Sequence, residues 1–353
     1  MSSETLPEQR AERLCEMLAS RIVQAPMAGG GSRPALVAAV AEAGALGFLA
    51  AGYKTAAQVR AEINQTRAAT SRPFGLNLFM PATEPVDEVT LAAYRDRMIP
   101  EAKRLGVAVG ATKDRSDDWD AKIADLMNDP PAVISFTFGC PEDQIIRAFQ
   151  QRGAIVVVTV TSVEEARTAA AADALCVQGD EAGAHRGTFS NEDWGAVALR
   201  ALVPAVRAIT EQPILAAGGL MNGEAIAAIL DLGADAGQLG TAFVRCPESG
   251  ASDVHKNALA DPRFTATAVT RAFSGRPARG LVNRFQAEHS PYAPAAYPEI
   301  HYMTSPLRKA AAAQGDAESV NLWAGTSWRL ATDAPAAEIV ERLKSELAAS
   351  ARR

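Results

Sequence analysis

The 353-residue chain carries 35 Lys and Arg against 41 Asp and Glu, a net charge of −6, so it has no cationic footprint for a nucleic acid. Its hydrophobic residues, 48% of the total, fall in short runs, none near the roughly 20 that a membrane span needs. Four cysteines without a CxxC pair and a polar start, MSSETLPEQR, with no apolar core of a signal peptide, predict a cytoplasmic protein with reduced thiols and no metal.

In chain order, short apolar runs alternate with Ala-rich helical stretches. IVQAPM (Ile22–Met27) precedes RPALVAAVAEAG, and LGFLAAG (Leu46–Gly52) precedes TAAQVRAEINQTRAAT. PFGLNLF (Pro73–Phe79) leads into a charged, helical insert over about Pro85–Asp129. AVISFTF (Ala132–Phe138) is followed by PEDQIIRAFQQRG, and AIVVVTV (Ala154–Val160) by SVEEARTAAAA. ALCVQG (Ala174–Gly179) opens a polar loop and then WGAVALRALVPAVRAIT. PILAAGG (Pro213–Gly219) precedes NGEAIAAILDLG, and AGQLGTAFV (Ala236–Val244) precedes SDVHKNALA.

These runs are continuous rather than alternating, as expected of strands buried on both faces of a parallel sheet. Length alone suggests about two domains, but one α/β barrel takes roughly 250 residues, and the count of about eight runs matches a (β/α)8 (TIM) barrel. Periodicity does not decide closure, so a doubly wound sheet stays open. Ser162 with Glu165 fits a capping box, and Asn222 fits an N-cap with Gly233 as the stop. After Asp261 the rhythm is lost. The expected organisation is a single domain over 1–353, with the insert at 85–129 and a helical extension over about 262–353 covering the barrel mouth.

Chemistry in such barrels sits at the C-terminal ends of the strands. Those ends carry Ala25-Pro26-Met27, Asn77, Gln178, Gly218-Gly219, and Gly240-Thr241 preceded by Gln238: glycines, amides and hydroxyls without a metal-ligand cluster. The last two loops suit a phosphate, through backbone N–H groups and a helix N-terminus; tight turns would explain one Gly pair equally well, but two such loops in the expected place favour the phosphate. Ala-Pro-Met is a small, uncharged wall that suits a flat ring. The loop DEAGAHRG holds His185, the one His at a strand end, able to take a proton near neutral pH. Asp180 or Glu181 is a candidate to orient it, and Arg186 to hold an anion beside it. His255 is expected on a surface helix, His289 and His301 in the tail.

QAPMAGG, GALGFLAAGY, PFGLNLF, VISFTFG, DALCVQGDEAGAHRG and LAAGGLMNGEAIAAILDLGADAGQLGTAF resemble, in that order, the motifs of nitronate monooxygenases. The resemblance runs from about Ile22 to Phe243, with echoes in YPEIHYMTSPLR and NLWAG. It implies an FMN-dependent TIM barrel that oxidises alkyl nitronates with O2 to a carbonyl compound and nitrite, without NAD(P)H. On this chain it implies His185 as the catalytic base for neutral nitroalkanes or the holder of the nitronate. Ala25, Pro26 and Met27 would lie beside the flavin, Asn77 and Gln178 would contact its ring or ribityl chain, and Gly183 would sit next to it. Gly218, Gly219, Gln238, Gly240 and Thr241 would form the phosphate loops. Two departures stand out: Ala184 where the family carries a second Gly, and Thr326 where it carries Gln, the latter expected at the substrate end with Tyr297 and Tyr302. A related flavin barrel reductase using NADH, or a flavin-binding barrel without turnover, are the alternatives. Monomer and homodimer are both compatible with the Ala-rich exterior.

Overall fold

A computed structural model describes residues 6–192 and 195–350. In chain order it contains α1 (Leu6–Met17), β1 (Ile22–Gln24), α2 (Pro34–Glu42), β2 (Leu46–Ala50), α3 (Ala56–Ala69), β3 (Gly75–Phe79), α4 (Glu88–Leu105), α5 (Trp119–Asn128), β4 (Val133–Thr137), α6 (Asp143–Gln151), β5 (Ile155–Val160), α7 (Val163–Thr168) and β6 (Ala174–Gln178). There follow β7 (Ala184–His185), α8 (Leu199–Arg207), β8 (Ile214–Ala217), α9 (Gly223–Leu230), β9 (Ala236–Leu239), α10 (Asp253–Ala258), β10 (Thr267–Thr270), β11 (Ala278–Leu281), α11 (Arg284–His289), α12 (Glu299–Ala313) and α13 (Ala336–Ser350). Trp194, which begins the run predicted after the polar loop, lies outside the described residues, as do Met1–Thr5.

Eight parallel strands close into a barrel in the order β1-β2-β3-β4-β5-β6-β8-β9, with β9 returning to β1 through Val23 opposite Gln238. The closed sheet settles the choice against a doubly wound one. Parity along each strand divides two cores that the continuous apolar runs conceal. Leu76, Ile134, Phe136, Val156, Val158, Leu175, Val177 and Ile214 point outward and pack on the helical ring. Val23, Phe48, Val133, Val157, Cys176, Leu215 and Ala236 fill the barrel interior. Phe48 fits there because Gly75 has no side chain: a Cβ on Gly75 would stand 2.2 Å from the Phe48 ring. The inward positions nearer the strand C-termini are polar: Asn77, Ser135, Thr137, Thr159, Gln178 and Gln238. The barrel therefore has an apolar floor and a hydrogen-bonding upper layer.

Helix α1 plugs the N-terminal end: Leu14 and Leu18 join the interior cluster, and Arg10 pairs with Asp173 at 3.0 Å. Nothing in its polar composition announced it beyond the Leu14/Met17/Leu18 spacing. The two cap predictions differ in outcome. Asn222 accepts from the Ala225 N–H at 2.9 Å, as an N-cap does. Ser162 accepts from the Glu165 N–H at 3.1 Å, but the Glu165 carboxylate turns to the Thr161 N–H and to Phe189 N–H instead of closing the box.

The insert and the tail meet in a second apolar core. Leu91, Tyr94, Met98 and Leu105 of α4 pack with Phe273, Phe285, Ile300, Met303 and Leu307. The tail is less helical than expected: β10 and β11 form an antiparallel pair to which β7 adds, Ala278 opposite His185. Its last helix, α13, packs between α9 and α2 and completes the outer ring of the barrel, a role beyond covering the mouth.

Candidate active site

A cavity of about 1200 Å³ opens at the C-terminal ends of the strands. That exceeds the ~300–1,000 Å³ of an ordinary small-molecule site, so it has room for a cofactor and a substrate together. The twelve residues that the resemblance assigns to cofactor binding and catalysis border it: Ala25, Pro26, Met27, Asn77, Gln178, Gly183, His185, Gly218, Gly219, Gln238, Gly240 and Thr241. Among its described lining residues Asp253 is the sole carboxylate, against Arg33, Lys54, Lys113, Lys256, Arg308 and Lys309. A chain of net charge −6 thus lines this cavity with more cationic than anionic side chains, although Lys54 is paired with Glu62, and that excess favours anionic ligands.

The upper layer of the barrel is wired by its own hydrogen bonds. Asn77 donates through Nδ2 to Ser135 Oγ and Thr137 Oγ1, both at 2.9 Å, which leaves its Oδ1 as an acceptor without a protein partner. Gln178 uses both ends on the loop above it: Nε2 donates to the His185 carbonyl at 3.1 Å and Oε1 accepts from the Gly187 N–H at 2.8 Å. Its contact with the cavity is thus combined with pinning the His185 loop. Gly218 and Gly219 have φ of 134° and 68°, where a side chain is strained, so this turn requires glycine. Thr241 Oγ1 accepts from Gly325 N–H at 3.0 Å and keeps its own O–H to donate. The N-terminus of α9, expected to serve a phosphate, is already taken: Gly223 N–H donates to Glu346 Oε2 at 2.7 Å.

His185 is held by the tail. Its Nε2 lies 2.9 Å from Ser274 Oγ, and Ser274 Oγ donates to the Arg276 carbonyl at 3.1 Å. With that hydrogen on the Arg276 carbonyl, Nε2–H donates to Ser274 Oγ and Nδ1 carries the lone pair. Burial, then the charges of Arg276 and Arg308, push the His185 pKa down from 6.5 to about 3. Neither Arg276 nor Arg308 has a carboxylate partner among the described residues; Arg276 lies 4.0 Å over the Phe138 ring and Arg308 donates to Asn321 and His301. Of the two, Arg308 borders the cavity and Arg276 does not, so the guanidinium that faces a ligand beside the neutral imidazole is that of Arg308.

This protonation state has a measurable sign. An unfolded His takes its proton near pH 6.5 and this one only near pH 3, so its contribution to stability is complete above pH 6.5 and is lost as pH falls towards 3. Across pH 5–8 it stays neutral, and we expect kcat/KM to carry no ionisation near 6.5 from His185. A limb near 6.5 that vanishes in His185→Asn would contradict this.

Several sequence expectations are corrected. Asp180 pairs with Arg279 at 3.1 Å, and Glu181 accepts from the Leu199 N–H at 3.0 Å, so Ser274 rather than either acid orients His185. Arg186 is 1% exposed and donates to the Gly179 carbonyl behind the loop, away from the cavity. Thr326 lies by Gly219, 3.3 Å from where its Cβ would be, on the side of the glycine turns and not at the substrate end. Tyr302 borders the cavity, whereas Tyr297 stands 5.9 Å from the His185 ring and donates to Tyr53 Oη at 3.2 Å. His255, expected on a surface helix, borders the cavity and reaches the Trp323 carbonyl at 2.8 Å; His301 borders it too.

Ala184 adopts φ 62°, the left-handed region that glycine occupies without strain. Ala184→Gly is expected to raise stability by about 0.5–1 kcal/mol, the strain relieved less the entropy of glycine, or about 1–2 °C in Tm. A lower Tm would show that the loop is not strained there.

The glycine turns, the wired upper layer and the single His above them invite comparison with known proteins. The nitronate monooxygenase family model matches residues 11–346. The chain belongs to the nitronate monooxygenase family. A nitronate monooxygenase from Pseudomonas aeruginosa is 40% identical over 338 residues, covering 92% of this chain and 95% of that one. A probable nitronate monooxygenase from Staphylococcus aureus is 37% identical over 95% of this chain and 97% of its own. The crystal structure of a nitroalkane oxidase from Streptomyces ansochromogenes is 51% identical, with TM-score 0.93 over 96% of this chain and 99% of that one. FabK from Thermotoga maritima is more distant, 27% identical with TM-score 0.75 over 96% and 97%. As a nitronate monooxygenase, this chain is a flavin-dependent oxidoreductase acting on nitronates or nitroalkanes. No helix among the described residues is long and apolar enough to cross a membrane.

Proposed function

We propose that the protein binds FMN and uses O2 to oxidise alkyl nitronates, and nitroalkanes after deprotonation, to a carbonyl compound and nitrite. The observation that carries this reading is the neutral imidazole of His185 at the cavity, with the Arg308 guanidinium, which has no carboxylate partner among the described residues, bordering the same space. The residues fit the cofactor. Asn77 Oδ1 suits a ring N–H and Ala25-Pro26-Met27 a flat ring face, while Gln238, expected with the phosphate loops, borders the cavity with its Nε2 donating to Cys176 Sγ at 3.2 Å. The Thr241 hydroxyl and the backbone at Gly218, Gly219 and Gly240 suit a phosphate. The bound flavin would supply the electron acceptor and the site of reaction with oxygen. His185 then takes the proton from the carbon beside a nitro group at Nδ1, while Ser274 keeps the ring in that tautomer. For a substrate that arrives as the anion, the same imidazole positions it and the Arg308 charge attracts it.

We further propose that 1–353 is one catalytic unit in the cytoplasm, monomeric or homodimeric. The four thiols are unpaired, as a reducing compartment allows. The test is the visible spectrum of the purified protein, followed by anaerobic addition of an alkyl nitronate and, separately, of NADH. Loss of flavin absorbance with nitronate and not with NADH supports the proposal. Reduction by NADH alone moves the protein to the reductase branch.

A further inference from the structure

His301 was not among the residues marked by the sequence as chemical, yet its ring borders the same cavity as His185. It stacks on Tyr53, with ring centroids 3.6 Å apart and planes within 7°. Tyr53 is itself fixed: its backbone, at φ 68°, donates to Asp117 Oδ1 of the insert at 2.8 Å. Arg308 Nη2 lies 3.3 Å from His301 Nδ1 and donates to the His301 carbonyl at 2.9 Å. A guanidinium has no lone pair, so Nδ1 must accept, and the neutral ring carries its hydrogen on Nε2. Nε2 has no partner among the described residues and is not a buried atom, so it is open to the cavity. Burial, with Arg308 and His185 as the next influences and Lys309 and Lys113 beyond, keeps this ring neutral.

The two imidazoles are thus fixed in opposite senses. His185 presents a lone pair on Nδ1 and His301 presents an N–H on Nε2. A nitroalkane offers the matching pair two bonds apart, an acidic C–H and a nitro oxygen. Resting on the reading of nitronate and nitroalkane oxidation, we propose that His301 donates its Nε2–H to a nitro oxygen of the substrate and stabilises the negative charge gathered there. When the C–H bond breaks, the proton goes to His185 Nδ1, the electron pair forms the C=N bond, and the charge arrives on the nitro oxygens. A donor already in place for that charge acts in the transition state more than in the neutral ground state.

The test compares His301→Phe, which keeps a ring against Tyr53 but no donor, with His301→Gln, which keeps an amide N–H. With nitroethane, His301→Phe should lose about 10²–10³-fold, chiefly in kcat, the range seen when one oxyanion donor is removed. With the preformed nitronate, charged before it binds, the same variant should act mainly on KM. His301→Gln should recover activity to within about tenfold of the wild type, and both variants should keep the wild-type flavin spectrum and Tm. Two results overturn the proposal while leaving the function intact: wild-type kcat/KM in His301→Phe, or equal losses in Phe and Gln variants. A wild-type protein that oxidises neither substrate overturns both.

Discussion

His185→Asn is expected to lower kcat/KM for a neutral nitroalkane by about 10²–10⁴-fold, the usual contribution of a general base. The amide is a smaller polar group that occupies the Nδ1 side of the ring, falls short of Ser274 Oγ, which lies 2.9 Å from Nε2 in the native ring, and cannot take a proton. Turnover of the preformed nitronate should fall far less, because no C–H bond has to break. The flavin should stay bound, since Asn77, Thr241 and the glycine turns are untouched. The measurement is a steady-state comparison of a nitroalkane with its own nitronate, alongside the visible spectrum of each protein. Equal losses on both substrates would mean that His185 orients the substrate and removes no proton.

The second large effect is on stability. Phe48→Ala should cost about 3–5 kcal/mol, the range for emptying an aromatic core position. Phe48 is 1% exposed inside the barrel, and the space it leaves is bounded by β-strand backbone hydrogen-bonded on both sides, which resists collapse. Against a typical total of about 5–15 kcal/mol this is a large share. Gly75→Ala attacks the same contact from the other side, with its Cβ 2.2 Å from the ring, at about 1–3 kcal/mol. The double change Phe48→Leu with Gly75→Ala should cost less than the sum of the singles, because both act on one volume. Urea unfolding of the set decides it. Strict additivity would mean that the two positions do not share that space.

The strands were legible because each is a short, mostly apolar run, most of them closed by Gly or Pro, and a strand buried on both faces has no other pattern to offer. The division between barrel interior and helical ring was hidden for the same reason: Val156, Val157 and Val158 look alike, although Val157 faces inward and its neighbours outward. The polar upper layer could be read from Asn77, Gln178 and Gln238, since an amide in an apolar run needs a partner. Arg186 misled because a buried Arg bonded to carbonyls has the same spelling as one awaiting an anion. Ser274, Arg308 and His301 were out of reach, because each meets His185 or the cavity through contacts across 89 or more residues of chain, as Ser274 does. The β-branched TATAVT before the SGRP turn was the one local sign of the strand pair beneath His185.

That strand pair, together with α13, sets the order in which a ribosome can complete this molecule. β7 leaves the exit tunnel about a hundred residues ahead of β11, so the His185 loop emerges long before its support. The gap in the ring between α2 and α9 is closed only by residues 336–350. A nascent chain that has made all eight barrel strands still exposes apolar faces of α2 and α9 and has no fixed imidazole. Competence therefore arrives last, with the C-terminus, and any partly made chain is inert at the site and vulnerable to association through those faces.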